Sequence, residues 1–174
     1  VLNCVPLLPV DYQSRALSFL PLNHVFERML TYLYVFAGVS IYYAQSMQTI
    51  GENARDIRPH IFTAVPRVVE KLYEKLVHQG RNLSGVKRQI FFSAIRHAEN
   101  YRLQQNGWWY KQKRQIYDKL VYSRWREALG GELTTIVSGS APLSPRLQRI
   151  FTAAGIPVLE GYGLTETSPV VSVN

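Results

Sequence analysis

Near the C-terminal end of the sequence, seven consecutive residues combine the side chains that phosphate chemistry uses: Gly161-Tyr162-Gly163-Leu164-Thr165-Glu166-Thr167. The glycines let the backbone turn and come close to a ligand with no Cβ in the way. Between them, the ring of Tyr162 suits stacking on a flat heterocycle, and the hydroxyls of Thr165 and Thr167 suit phosphate oxygens. Glu166 is the most informative of the set. A carboxylate beside a phosphate repels it unless a cation lies between them, so the string calls for a bridging Mg²⁺. The Gly-Tyr-Gly triplet taken alone also suits a solvated tight turn.

A second loop of small residues, Ser138-Gly139-Ser140-Ala141-Pro142, lets the main chain lie along a ligand. Its own N–H and C=O groups then suit the edge of a base; an ordinary strand-to-helix loop is the alternative. His24, after Pro21-Leu22-Asn23, fits either a pocket wall or a structural role. His60, His78 and His97 show no metal-ligand spacing to each other or to Cys4, so no zinc or iron site is expected. Ser140 lacks the flanking glycines of a nucleophile elbow, and Ser84–Lys87 matches Ser-x-x-Lys without its partner motifs. Neither common glycine-rich nucleotide loop occurs.

These loops need elements to hold them. Short β-branched or aromatic runs at Leu17–Leu20, Ile41–Tyr43, Ile61–Val65, Leu133–Val137 and Pro157–Glu160 read as strands. Between them lie helical patterns. One is capped by Asn23 and buries Phe26, Met29, Leu30 and Leu33; a short one covers Ile50–Asp56. Another runs from Pro66 until Gly80 ends it, and a fourth starts at Ser144-Pro145 and is capped by Gly155. The alternation predicts the α/β class, a parallel sheet with helical crossovers. Ligands of such sheets bind beyond the carboxyl ends of the strands, which selects Pro21–His24, Pro66-Arg67, Ser138–Pro142 and Gly161–Ser168.

The composition supports a packed domain: 174 residues, 47% hydrophobic and 18% charged, with one cysteine and hence no internal disulfide. Met29–Ala44 is nearly all apolar but only 16 residues long and interrupted by Gly38 and Ser40. A spanning helix needs about 20 apolar residues, so this stretch reads as a buried helix running into a buried strand. The net charge of +8 is concentrated: Arg81–Arg126 holds eleven Lys/Arg against two acids, Glu99 and Asp118, while the rest is near neutral. We therefore divide the chain into 1–80, a basic helical insertion at 81–131, and 132–174. Trp108, Trp109, Tyr110 and Lys111 suit contact with an anionic membrane surface, and a solvated helical hairpin is the competing reading. A nucleic-acid- or membrane-binding module without enzymatic activity is the alternative for the whole chain.

Read together, four blocks resemble the adenylate-forming acyl-CoA synthetases, most closely the long-chain fatty-acid–CoA ligases. They are Leu17–Arg28 (LSFLPLNHVFER), Ile57–Tyr73 (IRPHIFTAVPRVVEKLY), Asp118–Leu143 (DKLVYSRWREALGGELTTIVSGSAPL) and Glu160–Pro169 (EGYGLTETSP). The resemblance implies a fatty carboxylate activated by ATP as acyl-adenylate, then transferred to coenzyme A, with no nucleic-acid partner. It further implies that Tyr162, flanked by Gly161 and Gly163, stacks on adenine, with Ser138, Gly139, Ser140, Ala141 and Pro142 bordering the ring. Thr165 would hold the α-phosphate, Glu166 the Mg²⁺, and His24 would stand beside the carboxylate. Ser140 replaces a glycine common in relatives, and His60 a threonine. The single cysteine favours a reducing, cytoplasmic compartment, and a fatty-acid ligase would have reason to dock peripherally on membranes, where its substrate partitions.

The family's triphosphate-binding loop would precede Val1, and its ribose-binding aspartate and C-terminal lysine would follow Asn174. The chain by itself is therefore expected to give no turnover, and acyl-adenylate formed by residues 1–174 alone would contradict this.

Overall fold

The structure, a computed structural model, describes residues 1–103, 106–167 and 170–174. A 3₁₀ turn at Leu2–Leu7 leads into β1 (Arg15–Ser18), α1 (Val25–Ala37), β2 (Ser40–Tyr43) and α2 (Ile50–Ile57). There follow β3 (Ile61–Ala64), α3 (Pro66–Arg81), α4 (Gly85–Glu99), α5 (Trp108–Tyr117), one π turn at Asp118–Tyr122 and α6 (Ser123–Ala128). The chain closes with β4 (Thr135–Ser138), α7 (Pro145–Ala153), β5 (Val158–Tyr162), a 3₁₀ turn at Thr165–Thr167 and β6 (Ser172–Val173). The sheet order is β2-β1-β3-β4-β5-β6, parallel throughout except for antiparallel β6. The parallel α/β reading holds.

Side-chain alternation along each strand feeds two apolar layers. Ala16, Ile61 and Val137 face α1, against Phe26, Leu30, Leu33 and Tyr34. Leu17, Phe62, Ile136 and Val158 face the other helices. The basic segment joins that second layer: Phe91, Ala94, Ile95, Tyr122 and Trp125 share one cluster with Phe62 and Ile136. Trp125 meets Phe91 and Tyr122 at ring-centroid distances of 5.8 and 5.6 Å, and the buried Tyr122 hydroxyl donates to the Ala94 carbonyl at 2.8 Å. Within this segment α4 ends at Glu99, α5 starts at Trp108, and the π turn joins α5 to α6.

Several expectations need correction. Met29–Ala44 is only half buried: α1 leaves Tyr32, Val35 and Phe36 exposed, and β2, at the sheet edge, leaves Tyr42 and Tyr43 exposed. Among the described residues no helix is long and apolar enough to cross a membrane. His24, not Asn23, caps α1, its Nδ1 accepting from the Phe26 N–H at 3.3 Å. Gly80 does not end α3, which continues to Arg81; the Phe91 ring occupies the place of its Cβ, 2.1 Å from the ideal position. The strands begin and end within two residues of the predicted bounds, which moves Ser138 into β4 and Gly161 and Tyr162 into β5.

The amino ends of the strands are tied by Glu132, which pairs with Arg15 at 2.5 Å, Arg58 at 3.0 Å and His60 at 3.4 Å. His60 Nδ1 also accepts from the Arg15 N–H at 3.0 Å, so this histidine is a strand-start fastener remote from the strand tips. Beside it, Gly130 has φ +97°, and a Cβ there would lie 2.3 Å from the Ala54 carbonyl oxygen. Gly130→Ala is expected to cost about 2 kcal/mol or more, through clash and left-handed backbone together, and to lower the urea midpoint accordingly.

Candidate functional site

At the carboxyl ends of β1, β4 and β5 a cleft of about 230 Å³ is lined by His24, Ser140, Gly161, Tyr162, Gly163, Thr165 and Glu166, with Val25 and Phe26 at its base. Seven residues singled out by sequence from three separate loops thus meet in one place. Ser138, Gly139, Ala141 and Pro142 do not line it. Ser138 is fully buried at the end of β4, its hydroxyl without a hydrogen-bond partner among the described residues, while Ala141 and Pro142 are exposed. Ser168 and Pro169 of the fourth block lie outside the described residues.

The α1 N-terminus carries the first wall. The His24 N–H donates to the Pro21 carbonyl at 3.0 Å, and Arg28 Nε holds the Leu22 carbonyl at 3.2 Å, which fixes the loop before the helix. Because Nδ1 of His24 accepts a backbone hydrogen bond, the proton of the neutral ring sits on Nε2, where it can be donated to an anionic oxygen.

Ser140 supplies the second wall with φ +70°, a conformation that glycine adopts freely and other L-residues adopt at a cost. The preceding Gly139 is required by packing: a Cβ there would lie 2.7 Å from the Phe26 ring. The far end of the loop is held by Glu160 of β5, whose Oε1 accepts from the Leu143 N–H at 3.0 Å.

In the third wall the backbone does not turn at Gly161. It continues as strand through Tyr162, paired to β6 at Gly161↔Val173 and Tyr162↔Ser172. A Cβ on Gly161 would make only ordinary contacts, 3.8 Å from Ser138 O, so the protein's own packing does not demand glycine here. Tyr162 is 63% exposed. Thr165 and Glu166 are exposed in the following 3₁₀ turn. Thr167 differs from the expectation: its hydroxyl accepts from the Leu164 N–H and donates to the Leu164 carbonyl, each at 2.9 Å, so it closes the turn.

Glu27, next in sequence to the cleft-lining Phe26, escaped the sequence reading. It is fully buried on the apolar stripe of α1, one turn from Leu30, and an acid at that spacing was the available signal. Ser18 Oγ donates to Glu27 Oε1 at 2.5 Å, joining the first turn of α1 to the end of β1; among the described residues Oε2 has no hydrogen-bond partner. Burial raises the Glu27 carboxyl above its usual range, against the hydrogen bond from Ser18 that favours the anion. Nearby, the Tyr34 hydroxyl meets Thr63 Oγ1 at 3.3 Å.

Comparison with known proteins decides the family. Residues 2–174 match the model of the AMP-binding enzymes. The chain belongs to the AMP-binding enzyme family. It is 34% identical over 159 residues to the long chain acyl-CoA synthetase 6, peroxisomal, of Arabidopsis thaliana, covering 90% of this chain and 22% of that protein. It is 33% identical over 156 residues to the long-chain-fatty-acid–CoA ligase 6 of Mus musculus, covering 86% and 21%. Among solved structures, the N-terminal domain of FACL13 from Mycobacterium tuberculosis superposes with TM-score 0.59 at 18% identity, over 95% of this chain and 30% of that one. The AMP-bound A-PCP didomain of carboxylic acid reductase from Segniliparus rugosus gives 0.61 at 24% identity, over 91% and 19%. These structures support the AMP-binding enzyme fold, and the chain spans roughly a fifth of the two curated relatives' length.

The exposed aromatic patch is smaller in this family member than the sequence suggests. Trp108 and Trp109 are 61% and 73% exposed and Lys111 is exposed, but Tyr110 is half-buried. Its ring stacks on His97 at 3.9 Å, and its hydroxyl donates to the His97 carbonyl at 3.0 Å.

The buried acid yields a pH prediction. A carboxyl whose folded pKa is raised binds its proton more tightly in the fold than in the unfolded chain. Its contribution is therefore complete below the ordinary 4.5 and is lost as pH rises through the folded value. Glu27→Gln removes this titration. The variant should gain stability relative to the parent as pH rises above 4.5, read from urea midpoints; a relative loss over that rise would contradict the assignment.

Proposed function

We propose that the full-length protein containing this chain is an ATP-dependent ligase that activates a long-chain fatty acid as acyl-adenylate and transfers it to coenzyme A. The observation that carries this reading is the convergence of His24, Ser140, Tyr162, Thr165 and Glu166 on one cleft at the carboxyl ends of parallel strands. The family and the names of its relatives, long-chain acyl-CoA synthetases and ligases, supply the substrate class.

In the first step a carboxylate oxygen attacks the α-phosphorus of ATP, and the bond to the bridging oxygen breaks, releasing pyrophosphate with the electron pair. In the second, the coenzyme A thiolate attacks the acyl carbon and AMP departs. In-line chemistry of this kind depends on positioning and on neutralising phosphate charge. Tyr162 stacks on the adenine, and Ser140 borders the ring. The Thr165 hydroxyl donates to an α-phosphate oxygen. His24 donates from Nε2 to the fatty carboxylate and orients it.

Glu166 would hold Mg²⁺. Among the described residues no cluster of three His, Cys, Asp or Glu side chains could hold a metal, and a single carboxylate beside phosphate-binding groups suits Mg²⁺, which commonly takes one or two carboxylates with substrate phosphates and water. The ion supplies charge neutralisation at the phosphate oxygens. Glu166 itself, placed beside Thr165, keeps that neutralisation at the α-phosphate.

Peripheral membrane contact belongs to the same reading. Exposed Trp108 and Trp109 suit headgroup depth, and Lys111 suits an anionic surface where fatty acids partition.

Replacing Glu166 with Gln keeps size and removes charge. Acyl-adenylate formation by the full-length protein should fall roughly 100-fold or more, with weaker Mg²⁺ dependence of ATP binding by calorimetry. Unaltered activity in that variant would refute the metal role.

A further inference from the structure

On the helical face, away from the nucleotide cleft, α3, α4 and the π turn with α6 enclose a pocket of about 270 Å³. Its walls are apolar: Leu83, Ile90, Phe91, Leu120, Val121 and Trp125. Its base is the last turn of α3, where the Phe91 ring lies so close to Gly80 that no Cβ fits. Helix α3 starts at the carboxyl end of β3 and runs 16 residues, about 24 Å at 1.5 Å per residue. The pocket therefore lies at the opposite end of that helix from the strand tips that carry the cleft.

Two cations also line this apolar space, Lys87 from α4 and Arg124 from α6. Both are exposed, and among the described residues neither takes part in an ion pair. The first turn of α4 contains no acid, so nothing in that turn neutralises Lys87. This contrasts with Arg126 of the same segment, which Asp118 holds at 2.6 Å. Leu120 stays 46% exposed at the pocket. An apolar trough with two uncompensated cations recognises a molecule with an apolar chain and a negative head. It excludes a nucleotide, whose polar surface would lose water against Leu and Phe walls.

We propose that this pocket is a second, non-catalytic site for a single-chain fatty carboxylate, with the chain along Phe91, Val121 and Trp125 and the carboxylate met by Lys87 and Arg124. The site uses no residue of the cleft and does not depend on the ligase reading.

The test is photolabelling of the full-length protein with a diazirine-bearing palmitic acid, adducts being mapped by mass spectrometry so that cleft and pocket are read separately. Adducts are expected within residues 79–91 and 120–125. Laurate should displace them at least about tenfold better than dodecanol, which shares its chain length but carries no charge. The double variant Lys87→Glu/Arg124→Glu, at two exposed positions, should lose about tenfold or more of this labelling. Leu120→Trp, which fills the trough without altering charge, should lose it as well. Absence of adducts in these peptides, equal competition by dodecanol, or full labelling of the charge-reversed variant would overturn the proposal. So would displacement by phosphatidylglycerol vesicles but not by free laurate.

Discussion

The contact on which the candidate site depends is the ring of Phe26 against the backbone of Gly139. A Cβ at Gly139 would lie 2.7 Å from that ring, and one at Gly161 would lie 3.9 Å from it. One aromatic side chain in the first turn of α1 thus sets how closely the β4–α7 loop and the end of β5 approach His24. Close-packed interiors transmit such constraints because side chains cannot shift without opening voids. The Ser18–Glu27 hydrogen bond adds a second tie, from the same turn of α1 to β1, so the wall that bears His24 is held to the sheet at adjacent residues.

The two ends of the sheet are built differently. At the amino ends, Arg15, Arg58 and His60 converge on Glu132, and two glycines in left-handed conformation, Gly130 and Gly131, bring the chain into β4. At the carboxyl ends the polar groups are left open: Thr165, Glu166 and the Tyr162 ring are exposed. A scaffold with its charges matched at one end and exposed at the other fits the general placement of ligands in open α/β sheets.

The basic segment shows that charge in sequence and charge available in space differ. Arg126 is held by Asp118 and by the Ala154 carbonyl, and Arg114 donates to the Ala153 carbonyl at 2.7 Å. Arg146, outside the segment, pairs with its Glu99. These contacts fasten the π turn and α4 to α7. Lys87 and Arg124 are outside this network, and they flank an apolar pocket. The Trp108-Trp109 pair stands apart, at the start of α5.

By itself the sequence determined the parallel α/β class, the loops at the strand ends, and seven of the residues lining the cleft. Hydrophobic runs and prolines or glycines at helix ends are local signals, and strand-end loops follow from topology alone. Only the tertiary structure decided what depends on contact between distant segments. It placed Ser138 and Gly139 in the packing under the cleft, moved the cap of α1 to His24, and assigned Gly80 to a ring of α4. It also turned the apolar stretch around β2 into a half-exposed sheet edge. Glu27 is the clearest case: the residue type suggests a solvated helix start, but burial against Ser18 and Thr63 makes it a buried acid. Which residues share an environment is set by packing between chain segments, and no local pattern contains that information.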